Sequence, residues 1–343
     1  MNDILTAVAA GDRLSKAQAE QAMHHLMRGE AGPEQIAGFL LGLRARGESL
    51  DELAAFTRVM REYAVRVESP DPDAIDLCGT GGDRSGTFNI STTAAFVCAG
   101  AGVTVAKHGN RSISSQCGSA DVLKALGVDI ELGKEGVEYC LREAGIAFIF
   151  APYFHPALKH VMPVRRALGV RTFFNILGPL CNPAGVRRQL VGAFSRDVAE
   201  TMAAILGRLG AQHVVAVHAD DGLDEFSTAA TASVFEVRSA APPSLSRISA
   251  SDFGLGEASL NAVRGGSAEE NAGILTRVLE GTAGPHRDIV LLNAAFALST
   301  SGRYPTVDDA LEAARQSLDS GAAMRALDAL REVSAQAPKR EVA

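Results

Sequence analysis

Apolar residues in roughly the first sixty positions recur every three to four residues, which is the period of an amphipathic α-helix. Ser15 with Gln18, and Ser49 with Glu52, have the spacing of capping boxes that open helices, and Gly29 is typical of a helix end. The apolar faces of three predicted helices are formed by Met23, Leu26 and Met27, by Ile36, Phe39, Leu40 and Leu43, and by Leu53, Phe56, Val59, Met60 and Tyr63. The N-terminal part of the chain is therefore predicted to be helical.

The segment 69–73, with two prolines and two aspartates, breaks this pattern, and we predict a domain boundary there. Beyond it, short apolar runs alternate with helical stretches at the spacing of an α/β domain. The predicted strands lie at 75–78, 103–106, 146–151, 190–194, 214–218 and 233–237, and further helices are predicted around 269–279, 289–298 and 307–330. We expect an α/β fold with a small N-terminal helical domain (1–70) and a larger α/β domain (71–343) with a mainly parallel central sheet. Ligand loops are expected at the carboxyl ends of its strands.

Composition excludes several classes of function. The 343 residues suffice for about two domains, and the net charge of −7 argues against a general binder of nucleic acid or of anionic membranes. Five widely spaced cysteines without a C-x-x-C pair suit a reducing compartment better than a disulfide framework or a zinc site. No signal peptide is visible at the N-terminus, and the longest weakly polar run (94–106) is too short to span a bilayer. We therefore expect a cytoplasmic protein.

A glycine-rich loop, CGTGGD at 78–83, follows the first predicted strand, and a helix is predicted to begin near NIST at 89–92. Glycines allow successive backbone N–H groups to converge on one phosphate, and a helix N-terminus also favours an anion. The loop is neither a P-loop nor G-x-G-x-x-G, because Arg84 occupies the last place. A tight turn with an ordinary cap would use the same residues. We favour phosphate binding because the second segment adds hydroxyl and amide donors.

The second predicted strand ends in KHGNRSISS at 107–115, followed by QCGSAD at 116–121. Lys107 and Arg111 stand here among four serines, an amide and two glycines. A loop so rich in hydrogen-bond donors, at the carboxyl edge of a sheet, suits recognition of a polyphosphate. The alternative is a solvated, serine-rich surface loop, which we favour less because the loop directly follows a buried strand.

Asp224 and Glu225 lie in an acidic loop just past another predicted strand. Adjacent carboxylates on an irregular loop can share a hydrated Mg²⁺, which would screen the charge of a polyphosphate. Solvation alone would also explain such a loop, and it is the interpretation we favour for Asp220 and Asp221.

Arg165 and Arg166 lie on a predicted helix, where a guanidinium group can hold a carboxylate through two hydrogen bonds. One of two consecutive arginines is usually a surface residue. The segment 174–183 has the glycine and prolines of a hinge-like turn, for which a purely structural role is the alternative. Histidines near these arginines lack the spacing of a zinc motif, and we assign no zinc.

Together, these motifs resemble the anthranilate phosphoribosyltransferases. The resemblance covers essentially the whole chain, in the family's order, and the signatures of the related nucleoside phosphorylases, which share the architecture, are absent. The matching strings are GTGGD (79–83), NIST (89–92), KHGNRSISS (107–115), GSADVLKALG (118–127), HPALKHVMPVR (155–165), NILGPLCNP (175–183) and GLDEFS (222–227). The resemblance implies transfer of a phosphoribosyl group from 5-phosphoribosyl 1-pyrophosphate to the amine of anthranilate, in tryptophan biosynthesis.

The resemblance also implies roles for individual residues. The phosphoribosyl donor would be bound by Gly79, Gly82, Asp83, Thr87, Asn89, Ile90, Ser91, Thr92, Lys107, His108, Gly109, Asn110, Arg111, Ser112, Ile113, Ser114, Ser115 and Ser119. Anthranilate would be held by Gly79, Asn110 and Arg165, with His108 as a further candidate, and the magnesium ligands would be Ser91, Asp224 and Glu225. The catalytic candidates are Lys107, His108 and Arg165. Gln116, Phe226 and Thr87 depart from the family's usual residues, which affects expected affinity rather than the reaction.

Further expectations from the resemblance are two Mg²⁺ ions per subunit, closure of one domain on the other, and a homodimer formed through the helical domain with a contribution from about 165–185. Neither nucleic acid nor a membrane is an expected partner. Two alternatives remain: a pyrimidine nucleoside phosphorylase-like enzyme, and a non-catalytic relative that binds nucleic acid. The net charge of −7 and the intact donor loops speak against the second.

Overall fold

The computed structural model describes residues 1–83, 85–111, 117–239 and 241–340. The chain opens with four helices: α1 (Asn2–Ala9), α2 (Lys16–Arg28), α3 (Pro33–Arg46) and α4 (Leu50–Glu62). Both expected capping boxes are present, because the hydroxyls of Ser15 and Ser49 accept the N–H groups of Gln18 and Glu52, whose side chains accept the N–H groups of the two serines. Gly29 ends α2 in the left-handed conformation that glycine tolerates best. The predicted helical start of the chain is confirmed.

Seven strands form one sheet in the order β3-β2-β1-β4-β5-β6-β7. The five strands from β3 to β5 are parallel, while β6 and β7 are antiparallel additions at one edge. The strands are β1 (Ile75–Gly79), β2 (Val105–Gly109), β3 (Ile146–Phe150), β4 (Arg188–Gly192), β5 (His213–Ala219), β6 (Ala232–Arg238) and β7 (Ser244–Ile248). The sheet is mainly parallel, as expected. The strand order reverses between β1 and β4, and such a switch point opens a crevice at the carboxyl ends of the strands.

Helices pack on both faces of the sheet. Val215 and Val217 of β5 belong to one hydrophobic core, whereas Val214 and Ala216 belong to the other, because successive side chains of a strand point to opposite faces. The remaining helices are α5 (Ile90–Gly100), α6 (Ser119–Ala125), α7 (Lys134–Ala144), α8 (Ala151–Phe154), α9 (Met162–Leu168), α10 (Phe174–Leu180), α11 (Arg196–Arg208), α12 (Ala268–Leu279), α13 (Pro285–Thr300), α14 (Val307–Asp319) and α15 (Ala322–Gln336). Short 3₁₀ helices span Pro156–His160, Ala250–Phe253 and Leu260–Val263.

The second of these cores also contains the N-terminal helices. Phe39 and Phe56 pack edge to face, and Phe173 lies against both, at ring-centre distances of 6.1 and 4.7 Å. The side chain of Arg61 donates a hydrogen bond to the carbonyl oxygen of Leu180 at 2.7 Å. The segment before β4 therefore shares a core with the helical region, and the boundary near residue 70 remains a prediction.

The segment 174–183 is not the hinge-like turn that its glycine and prolines suggested. Residues Phe174–Leu180 form α10, and Pro179 lies in its last turn, where the helix is about to end. Leu177 and Leu180 are fully buried at positions one helical turn apart, so apolar burial outweighs the cost of the proline. Across the described residues, no helix combines the length and apolar character needed to cross a membrane.

Candidate active site

The glycine-rich loop after β1 lies against the acidic loop after β5, at the reversal of strand order. A side chain at Gly79 would place its Cβ 2.6 Å from Oδ2 of Asp224, so only glycine allows this approach. The N–H of Gly81 donates to the same oxygen at 2.7 Å, and the N–H of Thr80 donates to the carbonyl oxygen of Gly192 at 2.9 Å. Gly81 and Gly82 both have positive φ, as expected of a loop that glycine makes possible. Two of the predicted site loops therefore meet directly.

The N-terminus of α5 meets the same acidic loop. Asn89 is the N-cap residue, and the N–H of Ser91 donates to Oε1 of Glu225 at 3.1 Å. Ile90 is buried, and Thr92 is buried with a hydroxyl that has no hydrogen-bond partner among the described residues. Unpaired N–H groups at a helix N-terminus attract anions, and here the N–H of Ser91 faces a carboxylate.

Asp224 and Glu225 form a closely spaced acidic pair: Asp224 is buried, Glu225 is half-buried, and the ammonium of Lys107 partly offsets the charge of Glu225. Burial and the charge of Asp83 raise the pKa of Asp224 to about 6. Burial, together with Asp224 and Asp83, raises the pKa of Glu225 well above its usual range. Oε2 of Glu225 has no hydrogen-bond partner in the described part of the chain. Two carboxylates held this close repel each other, so the pair favours binding of either a proton or a cation.

These residues fit Mg²⁺ better than a metal held by protein ligands alone. The described residues contain no group of three acidic, histidine or cysteine side chains arranged to hold an ion. Mg²⁺ needs fewer protein side chains, because it is usually held by one or two carboxylates together with water and substrate phosphates. Oε2 of Glu225, which has no hydrogen-bond partner among the described residues, and the side-chain oxygens of Asp224 and Ser91 match that requirement.

Lys107 lies in the middle of β2, next to Ser91 in the first turn of α5, with only 3% of its surface exposed. Its ammonium group donates to the carbonyl oxygen of Leu77 and, at 3.3 Å, to Oγ of Ser91. Burial lowers the pKa of Lys107, while the carboxylates of Asp76 and Glu225 act in the opposite direction. Lys107 therefore places positive charge directly behind Ser91.

His108 is held in place by the strand beside it, because its N–H donates to Oδ1 of Asp76 at 3.1 Å. Its ring lies 5.2 Å from the ring of His155, and neither Nε2 atom has a hydrogen-bond partner in the residues that the structure describes. Burial, followed by the neighbouring His155, lowers the pKa of His108 well below its usual value, and burial lowers that of His155 to about 4. Both rings are thus neutral near pH 7.

The rest of the donor-rich loop is described only at its two ends. A Cβ at Gly109 would lie 2.6 Å from the ring of Phe148, the carbonyl oxygen of Asn110 accepts the N–H of Ala120 at 3.3 Å, and Ser119 begins α6. The guanidinium of Arg111 lies 5.6 Å from the ring centre of Phe150. Four residues that are predicted to bind the phosphoribosyl donor lie outside the described residues: Ser112, Ile113, Ser114 and Ser115.

Arg165 lies on α9, and its guanidinium stacks over the ring of Phe174 at 5.1 Å. Burial lowers the pKa of Arg165, and no described carboxylate forms an ion pair with it, although its Nη1 lies 3.5 Å from Sδ of Met162. Arg166 is exposed. Of the two arginines, Arg165 is therefore the one placed to receive a carboxylate from a ligand.

Thr87 forms an isolated antiparallel bridge to Arg264. The carbonyl oxygen of Gly82 accepts a hydrogen bond from Arg171, whose guanidinium also lies 4.3 Å above the ring of Phe194. Sequence reasoning did not single out Arg171, because an arginine in a loop carries no pattern of its own.

Sequence reasoning also missed two further residues that contact predicted site residues. Asp76 is fully buried in β1 and accepts hydrogen bonds from Asn182 at 2.8 Å and from Gln189 at 3.3 Å. The sequence did offer one signal for Asp76, because it is a charged residue inside an otherwise apolar predicted strand. Asn271 of α12 donates to Oδ1 of Asn89 at 3.0 Å, and nothing in the local sequence pattern indicated this contact.

Comparison with known proteins assigns this arrangement to a class. Residues 71–324 match the family described as glycosyl transferase family, a/b domain, and residues 2–64 match the helical bundle domain of the same family. The chain therefore belongs to this glycosyl transferase family.

Closer relatives narrow the assignment. An anthranilate phosphoribosyltransferase of Salinibacter ruber is 59% identical over 341 residues, covering 98% of this chain and 99% of the relative. That of Symbiobacterium thermophilum is 50% identical over 97% of both chains. Within the glycosyl transferases, the chain belongs to the anthranilate phosphoribosyltransferases.

Solved structures agree with this assignment. The anthranilate phosphoribosyltransferase of Thermus thermophilus has a TM-score of 0.91 at 41% identity, over 97% of this chain and 99% of that one. The enzyme of Saccharomyces cerevisiae, in complex with PRPP (5-phosphoribosyl 1-pyrophosphate) and Mg, has a TM-score of 0.88 at 27% identity, over 98% of both chains. Another structure of the yeast enzyme, with 4-fluoroanthranilate, has a TM-score of 0.84 at 26% identity, again over 98% of both chains.

Proposed function

We infer that this protein transfers the phosphoribosyl group of PRPP to the amine of anthranilate, giving N-(5-phosphoribosyl)anthranilate and pyrophosphate, in tryptophan biosynthesis. The observation that carries the inference is the meeting of the glycine-rich loop, the N-terminus of α5 and the acidic pair Asp224 and Glu225. Backbone N–H groups of a glycine-rich loop and of a helix N-terminus suit a phosphorylated ligand, and two adjacent carboxylates suit the cation that accompanies it.

We propose that the donor occupies the crevice at the carboxyl ends of β1 and β2. Gly79, Gly82 and Asp83 would line it from one side, and the N-terminus of α5 from the other. The remaining proposed donor ligands are Thr87, Asn89, Ile90, Ser91, Thr92, Lys107, His108, Gly109, Asn110, Arg111, Ser112, Ile113, Ser114, Ser115 and Ser119. The N–H of Gly81, which bonds to Asp224 in this structure, becomes available once that carboxylate turns to a cation.

Ser91, Asp224 and Glu225 are the proposed magnesium ligands, for two ions per subunit. Bound Mg²⁺ neutralises charge on the pyrophosphate group. The chain itself contributes the ammonium of Lys107, which supports Ser91 from behind and is buried away from solvent. A cation next to a leaving pyrophosphate stabilises the negative charge that develops there.

Arg165 is proposed to hold the carboxylate of anthranilate, with Gly79, Asn110 and His108 completing the acceptor site. In the reaction, the amine nitrogen forms a bond to the anomeric carbon, the bond from that carbon to pyrophosphate breaks with its electron pair leaving on pyrophosphate, and the amine loses one proton. The neutral ring of His108 presents a lone pair on an unpartnered Nε2. Because its pKa lies well below the usual value, His108 is a weak base for that proton.

We also propose a cytoplasmic homodimer formed through residues 1–70, with a contribution from about 165–185, while residues 71–343 carry the site. Light scattering of the purified protein measures the subunit number directly, and a monomer at working concentration would contradict this part of the proposal.

The decisive test mixes the purified protein with anthranilate, PRPP and Mg²⁺ and follows the loss of anthranilate fluorescence. Omission of PRPP, and addition of a chelator, are the controls that must abolish the signal. If anthranilate is not consumed while nucleosides undergo phosphorolysis, the proposed function is wrong. Retarded nucleic acid on a gel at physiological salt, without turnover, would equally overturn it.

A further inference from the structure

Asn271 lies in the first turn of α12, and only 2% of its surface is exposed. Its Oδ1 accepts the backbone N–H of Gly266 at 2.8 Å, and its Nδ2 donates to Oδ1 of Asn89 at 3.0 Å. A side chain at Gly265 would come within 2.5 Å of Oδ1 of Asn271 and 2.7 Å of Cα of Phe88. The glycine at 265 therefore permits the close approach that joins α12 to the start of α5.

The orientation of both amides follows from this chain of hydrogen bonds. A backbone N–H can only donate, so the atom of Asn271 that faces Gly266 must be the oxygen. The other end of that amide is then NH₂, and Asn89 must meet it with its own oxygen. The thiol of Cys117 also lies 3.4 Å from that oxygen. Among the described residues, the NH₂ group of Asn89 makes one long contact, 3.4 Å to the carbonyl oxygen of Cys117.

Asn89 is the N-cap of α5, and its side chain makes no capping hydrogen bond to the helix. Phosphate oxygens only accept hydrogen bonds at neutral pH, so an amide that recognises them must present NH₂ rather than oxygen. We propose that Asn271 is a positioning residue that locks the Asn89 amide with its NH₂ group free for the phosphates of the donor. The proposal rests on the proposed function, which places Asn89 in the donor site.

Two variants separate orientation from simple tethering. Asn271→Asp keeps the acceptor for the N–H of Gly266 but replaces the NH₂ group that faces Asn89 by a second acceptor oxygen. The Asn89 amide should then rotate, so that its NH₂ group donates to the new carboxylate and its oxygen faces the phosphate. Asn271→Ala removes both contacts and leaves the amide unbiased. Asn261→Asp introduces the same change at an exposed position and is the matched control. Binding of PRPP with Mg²⁺, without anthranilate, is measured by calorimetry at about pH 8.5, where a carboxyl group is ionised.

We expect Asn271→Asp to weaken donor binding by about tenfold to a hundredfold, and Asn271→Ala by less, because the first exchanges a hydrogen bond to a charged group for repulsion. The Kd of Asn261→Asp should equal that of the unaltered protein. If Asn271 only tethers Gly266, Asn271→Ala should bind the donor more weakly than Asn271→Asp does. That result would overturn the proposal. Unchanged binding in both variants of Asn271 also overturns it.

A double-mutant cycle decides the matter even if Asn271→Asp does not fold. In the background of Asn89→Ala, Asn271→Ala should change the Kd of the donor by less than about twofold, because the group it orients is gone. Additive losses would show that Asn271 does not act through Asn89. Turnover of the unaltered protein with anthranilate tests the proposed function separately, so the two failures are distinguishable.

Discussion

Asp224→Asn should stabilise the metal-free protein at neutral pH while abolishing its function. The change keeps an oxygen that can accept the N–H of Gly81 and removes a carboxylate that is only 8% exposed. Burial and the charge of Asp83 raise the pKa of Asp224 to about 6. That is about two pH units above the usual carboxyl value, and at about 1.4 kcal/mol per unit the charged form costs the folded chain about 3 kcal/mol.

The sign of the pH dependence follows from where the proton binds more tightly. A carboxyl group whose pKa is raised by folding favours the folded chain at low pH, and this advantage is lost as the pH rises from about 4 to about 6. Asp224→Asn should therefore increase the free energy of unfolding at about pH 7.5 by up to about 3 kcal/mol, a rise in Tm of up to about 4 °C for a chain of this length. The difference should nearly vanish at about pH 4.

Thermal unfolding in chelator, followed by circular dichroism across this pH range, measures the effect. Asp12→Asn, at an exposed position, is the control and should leave the Tm unchanged. Added Mg²⁺ should raise the Tm of the unaltered protein more than that of Asp224→Asn, because the variant has lost a ligand. A Tm for Asp224→Asn that is below that of the unaltered protein at neutral pH, or a difference independent of pH, would refute the reasoning.

Three further predictions concern turnover. Arg165→Ala should raise the KM for anthranilate by about tenfold or more, and the KM for the donor much less, in initial-rate measurements; equal effects on both would contradict its role. Asp224→Ala combined with Glu225→Ala should abolish Mg²⁺-dependent turnover, and an unchanged response to Mg²⁺ titration would exclude them as ligands. Gly79→Ala, whose Cβ would lie 2.6 Å from Oδ2 of Asp224, should lower kcat at unchanged helix content by circular dichroism, and full activity would show that this approach is dispensable.

Local patterns predicted the helices and the parallel strands because each depends on neighbouring residues. The capping boxes at Ser15 and Ser49 act over three residues, and both are present. The edge strand β7 was not predicted, because its residues are mostly exposed and lack a buried face to leave an apolar pattern. The single predicted helix at 307–330 is two helices, since Gly321 adopts a left-handed conformation between them.

The candidate site was predictable only where chemistry and local pattern coincide. Gly79 and Asp224 could be selected separately from a glycine cluster and an acidic pair, but their separation of 145 positions hides the fact that one makes room for the other. Asn271 is harder still, since a lone asparagine in a helix start looks like any other polar residue. Its importance arises from a neighbour 182 positions away, and from the backbone N–H of Gly266 that fixes which end of its amide is the donor. Residues that orient a ligand contact are therefore recognised from hydrogen-bond direction in the folded chain, because sequence spacing does not encode which atoms of an amide face each other.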